Sequence, residues 1–344
     1  MTGTLTSRLT LGDLLGQGHF GSVFLGQDPV HGEVAVKVIS RVTGEDPDAW
    51  LRRKEMLLKE GQHLVKAAHR HVLSVHQVLE EAQEDAILLS MECCPGGSLQ
   101  AHFEVGPLPL DRVREIATAV CLGLQALHAQ GMLHRDIKPA NILLDKLGVA
   151  KLGDFGLVTD ELVRGYGSQM GYNDHLAPEV HQGGPTSVKT DIFALGMTVY
   201  RLLHGRAWYE AFPEPKSVIP AGGFAKGLKW LPHIPKPWRS FIRKMLNDNP
   251  HARYQSATQV LDALAKLPID PSWTCAMGAN RVEWTLVDSR RRKVVTWLRP
   301  STRRNSWEAK SFPIVDGNSR VLRLATKPRS QSLVLSELER FLSK

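Results

Sequence analysis

Apolar residues recur at every second position in the first part of the chain. The segment "EVAVKVIS", from Glu33 to Ser40, has valine at three alternate positions, a pattern typical of a β-strand. A second short run, "SVFLGQ", and the turn-like "DPVHG" precede it. Nothing between Ser22 and Ser40 shows the spacing of three and four residues that a helix requires. The pattern therefore predicts two strands joined by a turn.

Three glycines, Gly16, Gly18 and Gly21, lie at the start of this hairpin with the spacing G-x-G-x-x-G. The same spacing occurs in dinucleotide-binding folds, where the glycines open a helix, and in hairpins that fold over nucleotide phosphates. We favour the hairpin because strand patterns follow the glycines. Glycine lets the backbone approach phosphate oxygens without a clash at Cβ. A surface turn without a ligand is the alternative, and further parts of a site are needed to decide.

The pattern changes toward the C-terminal end of the chain. Four patches rich in β-branched and aromatic residues predict strands: "RVEWTLV", "KVVTWLRP", "SWEAKSFPIV" and "RVLRLATK". The last segment, "SLVLSELERFLSK", has helical spacing, and Ser332 is its predicted N-cap. We therefore predict a small β-rich module closed by a helix.

Charge marks the same boundary. Residues 271–344 contain 15 Lys or Arg against 6 Asp or Glu, a net charge of +9, which leaves −1 for residues 1–270. The two prolines of "LPIDPSW" predict a linker, so we separate residues 268–344 from residues 9–267. Clustered arginine in "SRRRK" and four tryptophans could serve an acidic partner or nucleic acid. We favour the simpler interpretation, in which the tryptophans form a core and the arginines a solvated rim.

The overall composition is that of a folded protein. The chain has 344 residues, of which 42% are hydrophobic and 23% charged. No apolar stretch of about eighteen residues occurs, and the first ten residues lack the apolar run of a secretory signal. The four cysteines form no C-x-x-C pair, so we expect reduced thiols. We expect a cytoplasmic protein with no membrane partner.

A group of motifs in the middle of the chain changes the picture. The stretch "LHAQGMLHRDIKPANILLDKLGVAKLGDFGLV" contains His134-Arg135-Asp136 and Asp154-Phe155-Gly156, and "APE" follows at 177–179. With the glycine hairpin and the lysine of "VAVK" upstream, the chain resembles the eukaryotic-like (Hanks-type) serine/threonine protein kinases from about residue 9 to 267. The resemblance implies an α+β, two-lobed protein-kinase fold. Its β-rich N-lobe covers about 9–92 and its α-helical C-lobe about 95–267, followed by the β-rich C-terminal module.

The resemblance also implies roles for the motif residues. Asp136 orients the attacking hydroxyl, and Lys138 is the residue that serine/threonine kinases have two positions later. Asn141 and Asp154 ligate Mg²⁺, and Lys37 holds the ATP phosphates.

An acidic residue on the following helix pairs with that lysine in the family. Glu55 and Glu60 are the candidates, and we choose Glu60 because it lies nine residues before His69 in "HRHVL", the usual spacing.

The adenine ring is expected at the segment "LLSMECCPGGSL", which resembles the hinge between the lobes. Met91 is then the gatekeeper, and backbone groups of Glu92 and Cys94 pair with the adenine edge. The full set of residues expected to bind ATP is Leu15, Gly16, Gln17, Gly18, His19, Phe20, Gly21, Ser22, Val23, Ala35, Lys37, Met91, Glu92, Cys94, Asn141, Leu143 and Asp154.

The chain departs from the family just before "APE". The segment reads "SQMGYNDHL", so Tyr172 replaces a threonine that normally bridges the catalytic Asp and Lys. Ser168 occupies the position of the family's activating phosphorylation site. Either substrate docking differs here or the loop is rearranged in the active form.

These motifs predict an ATP- and Mg²⁺-dependent kinase that phosphorylates serine or threonine in protein substrates, and itself. Three alternatives stay open: a pseudokinase scaffold, a small-molecule phosphotransferase of the same fold, and a regulator whose C-terminal module binds nucleic acid. The retention of Lys37, Asp136, Asn141 and Asp154 together argues against the first. The "APE" motif argues against the second because it belongs to the peptide-docking segment.

Overall fold

The computed structural model describes residues 9–18, 21–66, 68–81, 85–153, 174–211, 218–315 and 318–343. Within them, an antiparallel sheet has the strand order β1-β2-β3-β5-β4, with helix α1 packed against β4 and β5. Its elements are β1 (Thr10–Gly18), β2 (Gly21–Asp28), β3 (Gly32–Ser40), α1 (Pro47–Lys66), β4 (Val75–Glu81) and β5 (Ala86–Glu92). The hairpin predicted from the alternation is β2–β3.

A helical lobe follows the sheet. The buried helices α3 and α5 form its centre, because α3 packs against α5 and α8, while α2 and α7 pack against α5. The helices are α2 (Leu99–Val105), α3 (Leu110–Ala129), α4 (Pro178–His181), α5 (Val188–Tyr209), α6 (Phe224–Gly227), α7 (Lys236–Met245) and α8 (Ala257–Leu264). The hairpin of β6 (Ile142–Leu144) and β7 (Ala150–Leu152) packs beside α3. In the chain it lies between Asp136 and Gly153.

The C-terminal module is a second antiparallel sheet of order β12-β11-β10-β9-β8, and helix α9 packs on β11. Its elements are β8 (Thr274–Met277), β9 (Arg281–Val287), β10 (Arg291–Ser301), β11 (Arg304–Pro313), β12 (Arg320–Arg329) and α9 (Gln331–Leu342). The predicted Ser332 cap is wrong: the N-cap is Ser330, because β12 runs to Arg329 and the helix begins directly after it.

The tryptophans of the module form its core. Trp273, Trp284, Trp297 and Trp307 are all less than 5% exposed. Each indole N–H donates a hydrogen bond inside the protein: Trp273 to the carbonyl of Leu342, Trp284 to His233 Nδ1, Trp297 to Asn305 Oδ1 and Trp307 to Glu337 Oε2. None of them is available to stack on a base, which leaves the core interpretation.

The segment between the helical lobe and the module is packed against the lobe. Pro268 accepts a hydrogen bond from Trp238 Nε1 at 2.7 Å, and Ser272 donates one to Asp111 at 2.9 Å. Trp284 reaches His233 of the lobe, and Arg239 lies 3.3 Å from Glu339. The two prolines therefore belong to a docked connection and not to a free linker.

Candidate active site

The cleft between the first sheet and the helical lobe holds a cavity of about 830 Å³. It is lined by most of the residues predicted to bind ATP: Leu15, Gly16, Gln17, Gly21, Val23, Ala35, Lys37, Met91, Glu92, Cys94, Asn141 and Leu143. Ser22 lies on β2 outside the lining, and Gly18 ends β1 opposite Gly21. His19, Phe20, Asp154 and Ser168 lie outside the described residues.

Gly21 is required by the backbone of the glycine hairpin. Its φ of +129° lies in a region that residues with side chains rarely adopt. A Cβ at this position would lie 2.1 Å from the carbonyl oxygen of Val38 on the neighbouring strand. The third glycine of the motif is therefore needed for β2 to begin this close to β3, and it also lines the cavity.

The hinge after β5 is tied to the helical lobe. Met91 is buried, and Lys151 of β7 pairs with the Glu92 carboxylate at 2.9 Å. Among the described residues, the Cys94 N–H makes no hydrogen bond, while its carbonyl accepts one from the Gly97 N–H. Burial raises the pKa of the Cys94 thiol to about 12, so this cysteine is un-ionised at neutral pH. The hinge thus presents a backbone donor to a ligand.

Lys37 lies on β3 and is only 3% exposed, in register with Val23 and Leu89. A buried ammonium group beside a cavity is suited to an anionic ligand. Its expected partner, Glu60, belongs to α1, but the Glu60 side chain lies outside the described part of the structure. Glu55, the competing candidate, is exposed to solvent.

Asp191 of α5 holds the loop at residues 134–136, which we call the catalytic loop. Its carboxylate accepts hydrogen bonds from the backbone N–H of His134 (3.0 Å) and of Arg135 (2.8 Å), and it lies 2.8 Å from His128 Nε2. Arg135 has a φ of +69°, an unfavourable value for a side-chain-bearing residue. The buried carboxylate stabilises this strained turn, which presents Asp136 to the cavity.

The Asp136 carboxylate meets three side chains at the inner end of the cavity. Lys138 Nζ lies 2.8 Å from Oδ2, Asn141 Nδ2 donates to the same oxygen at 2.7 Å, and His175 Nε2 lies 2.9 Å from Oδ1. Burial favours protonation, but the contacts of His175 and Lys138 outweigh it and hold the pKa of Asp136 well below its usual range. Asp136 is therefore ionised and can accept a hydrogen bond at any physiological pH.

His175 was missed by the sequence reasoning. It is 4% exposed, and its contact with Asp136 is close but out of line for a hydrogen bond, so it is best described as an ion pair. On its other side, Nδ1 lies 3.8 Å from Asp174, which accepts a hydrogen bond from the Tyr209 hydroxyl and lies 3.6 Å from Arg201. A histidine immediately before "LAPE" was the only signal available in the sequence.

The "APE" segment is fixed to the helical lobe by an ion pair with a buried arginine. Both terminal guanidinium nitrogens of Arg253 donate to the Glu179 carboxylate at 2.7 Å. The bidentate geometry is the strong form of an arginine–carboxylate contact. Tyr172 lies outside the described residues, so its predicted effect on substrate docking stays a prediction.

A glycine-lined cleft between an antiparallel sheet and a helical lobe, with a buried lysine and an ionised aspartate in its lining, is the architecture of the protein-kinase fold. The model of the protein kinase domain matches residues 9–264, and the chain belongs to this family. Similar proteins include the serine/threonine-protein kinase PknB of Mycobacterium leprae, 30% identical over 74% of this chain and 42% of its own length. The serine/threonine-protein kinase PrkC of Bacillus subtilis is 28% identical over 74% of this chain and 39% of its own length.

The chain spans about two fifths of the length of these curated relatives. No helix among the described residues is both long enough and apolar enough to cross a membrane.

Proposed function

We propose that this protein transfers the γ-phosphoryl group of Mg·ATP to serine or threonine hydroxyls of protein substrates, and to itself. The observation that carries the proposal is the Asp136 carboxylate, ionised at the inner end of the cavity with Lys138 and Asn141 on one oxygen. Phosphoryl transfer has a loose, highly charged transition state, so it requires positioning and charge neutralisation more than a strong base.

The acceptor hydroxyl is positioned by Asp136. The hydroxyl donates a hydrogen bond to the carboxylate, which turns its lone pair toward the phosphorus, and the carboxylate takes the proton late in the transfer. Lys138 adds positive charge beside the transferred group, and Lys37 holds the remaining phosphates in the cavity. The low pKa of Asp136 is compatible with this role because the attacking oxygen becomes acidic only as the new bond forms.

Asn141, which lines the cavity, has a side-chain oxygen that fits a magnesium ligand. The Asn141 side-chain nitrogen is directed to Asp136, donating to its carbonyl (2.8 Å) and its carboxylate (2.7 Å), so the amide oxygen is left for another partner. Amide and carboxylate oxygens are ligands that Mg²⁺ prefers. We assign Asn141 and Asp154 as its ligands. When bound, Mg²⁺ neutralises charge on the β- and γ-phosphates.

The test is phosphorylation of a generic protein substrate by the full chain with radiolabelled Mg·ATP. Asp136→Asn keeps the size of the side chain but removes its negative charge, and we expect at least about 100-fold slower transfer. ATP affinity is expected to change by less than about threefold, because Asp136 faces the acceptor. Asp262→Asn, on the exposed surface of α8, is the matched control.

Mass spectrometry of the product identifies the acceptor residues. We expect phosphate at Ser168, because this residue occupies the position of the family's activating phosphorylation site. Transfer by Asp136→Asn at the wild-type rate would refute the assignment. Binding of ATP without any transfer by the wild-type protein would support the pseudokinase alternative.

A further inference from the structure

The strand register of the C-terminal module brings two basic stretches of the sequence together. Lys293 of β10 is opposite Ser311 of β11, and Ser311 is opposite Arg320 of β12. Neighbouring strands are about 4.8 Å apart, so residues 290–293 and 320–323 lie roughly 10 Å from each other at one end of the sheet. A backbone hydrogen bond from the Ile314 N–H to the Arg290 carbonyl (3.0 Å) joins the two loops there. We call this region the arginine-rich end, residues 287–293, 311–315 and 320–324.

The cations of the arginine-rich end form no ion pair within the described residues. They are Arg290, Arg291, Arg292, Lys293, Arg320 and Arg323. Arg291 donates to the hydroxyl and the carbonyl of Ser311, and Arg292 lies over the Phe312 ring at 5.5 Å. The nearby carboxylate of Asp288 lies in the turn between β9 and β10, where it accepts hydrogen bonds from the backbone N–H groups of Arg290 and Arg291. The described residues of the region therefore carry six cationic side chains against one carboxylate, that of Asp288.

Large aliphatic side chains are exposed among these cations. Their exposed fractions are 61% for Val287, 53% for Ile314, 80% for Val315, 61% for Val321 and 42% for Leu322. They lie at the ends of strands and in the loop after β11, at the same end of the sheet as the arginines. Aliphatic groups at loop tips with cations around them are an unusual combination for a surface that meets only water.

We propose that the arginine-rich end docks on the surface of an anionic lipid bilayer. Cations at the headgroups and aliphatic side chains at the acyl boundary together account for both features of the region. An acidic peptide accounts for the charge but not for aliphatic groups spread over loop tips. Nucleic acid is disfavoured because the four tryptophans are buried with their N–H groups satisfied, and a second copy of the chain would oppose like charges.

This docking differs from the expectation of no membrane partner, and it requires no spanning helix. Trp284, Arg239 and Ser272 take part in contacts between the module and the helical lobe. A bound module would therefore hold the kinase domain in a defined orientation on the bilayer, next to substrates anchored there.

The experiment is flotation of the purified full chain with vesicles. We expect binding to vesicles of phosphatidylcholine and phosphatidylglycerol at low salt, little binding to phosphatidylcholine alone, and release as salt is raised. Arg320→Ala with Arg323→Ala should lower the partition coefficient about 10- to 30-fold, since each cation near an anionic surface contributes a severalfold effect.

The matched control removes two exposed arginines at the opposite end of the sheet, Arg303→Ala with Arg304→Ala, and should change binding less than twofold. Ile314→Ser with Val315→Ser should weaken binding without changing the charge. Circular dichroism and activity toward a soluble peptide check that each variant is folded.

Equal losses in the two arginine pairs would overturn the proposal, because binding would then depend on net charge and not on this end. No flotation at low salt would also overturn it. Parallel titrations with polyglutamate and with duplex DNA provide the competing outcomes. Binding of either one that is lost with Arg320 and Arg323, without binding to vesicles, would assign the surface to that polymer.

Discussion

Replacement of His175 tests whether a histidine positions the acceptor carboxylate in this protein. His175→Ala removes the only side chain that the structure shows at Oδ1 of Asp136, while Lys138 and Asn141 remain at Oδ2. We take about 1.5–3 kcal/mol, the range for a hydrogen bond to a charged group, as the free energy by which this contact stabilises the arrangement around Asp136. Its loss leaves part of the carboxylate charge unsatisfied. We expect kcat to fall about 10- to 150-fold, since about 1.4 kcal/mol corresponds to a factor of ten.

The assay is steady-state phosphorylation of a peptide, with ATP binding measured separately. His175 lies on the acceptor side of Asp136, so the KM for ATP should change less than about threefold. His175→Gln retains a side-chain N–H and should restore part of the lost rate. His251→Ala, an exposed histidine of the helical lobe, is the matched control and should be neutral.

A pH profile separates positioning from a loss of packing. Burial would lower the pKa of His175, but the carboxylates of Asp136 and Asp174 outweigh it and raise the pKa above its ordinary value, with Lys138 opposing them. The imidazolium therefore persists to higher pH than that of an ordinary histidine, and it is lost as pH rises through the raised pKa. Wild-type activity should decline on that alkaline side, and His175→Gln should lack the decline. Wild-type kcat in His175→Ala, or an equal alkaline decline in His175→Gln, would refute the reasoning.

Three further substitutions and one pH series test other parts of the structure. Glu60→Gln should reduce kinase activity at least about tenfold, and the exposed Glu55→Gln should reduce it less than twofold. The reason is that only a side chain facing Lys37 can order that lysine. Equal small effects would show that neither glutamate of α1 pairs with Lys37. Burial lowers the pKa of His204 and His233 from 6.5 to about 3, so the unfolded chain binds protons that the folded protein does not as pH falls below 6.5. The free energy of unfolding, measured in urea, should fall by about 2 kcal/mol per histidine between pH 7.5 and 5. His233→Gln should remove about half of the total fall. An unchanged fall in this variant would contradict the reasoning.

Local patterns in the sequence were sufficient for several elements at the two ends of the chain. Alternation predicted the β2–β3 hairpin, because a strand with one buried face must alternate, and β-branched and aromatic content predicted the strands β9 to β12. Strand β8, from Thr274 to Met277, was missed since four residues, "TCAM", are too few to show a period. The misplaced cap has a similar cause: Ser330 and Ser332 are both good caps, and only the end of β12 at Arg329 selects the first.

The chemistry of the site was readable wherever one short motif carries it. Lys37, Asp136 and Asn141 could be chosen because the motifs that contain them resemble, in order, those of the kinase family, and the structure brings all three to one cavity. Contacts between distant segments were not readable. His175 meets Asp136 because the tertiary structure places Asp174 and His175 against that carboxylate, and a pattern of local periodicity contains no information about such an approach.

The environment of the C-terminal module was likewise decided by tertiary structure. The sequence shows arginines and tryptophans in the same segment, and composition alone allows both a binding surface and a core. The register of β10, β11 and β12 separates them along the strands: the tryptophans pair near the middle of the sheet, and residues 290–293 and 320–323 lie at one end of it. Trp297 and Trp307 face each other in the core, whereas Lys293 and Arg320 lie on either side of Ser311 at the end of the sheet. The pairing of distant strands, which no local pattern encodes, made that division.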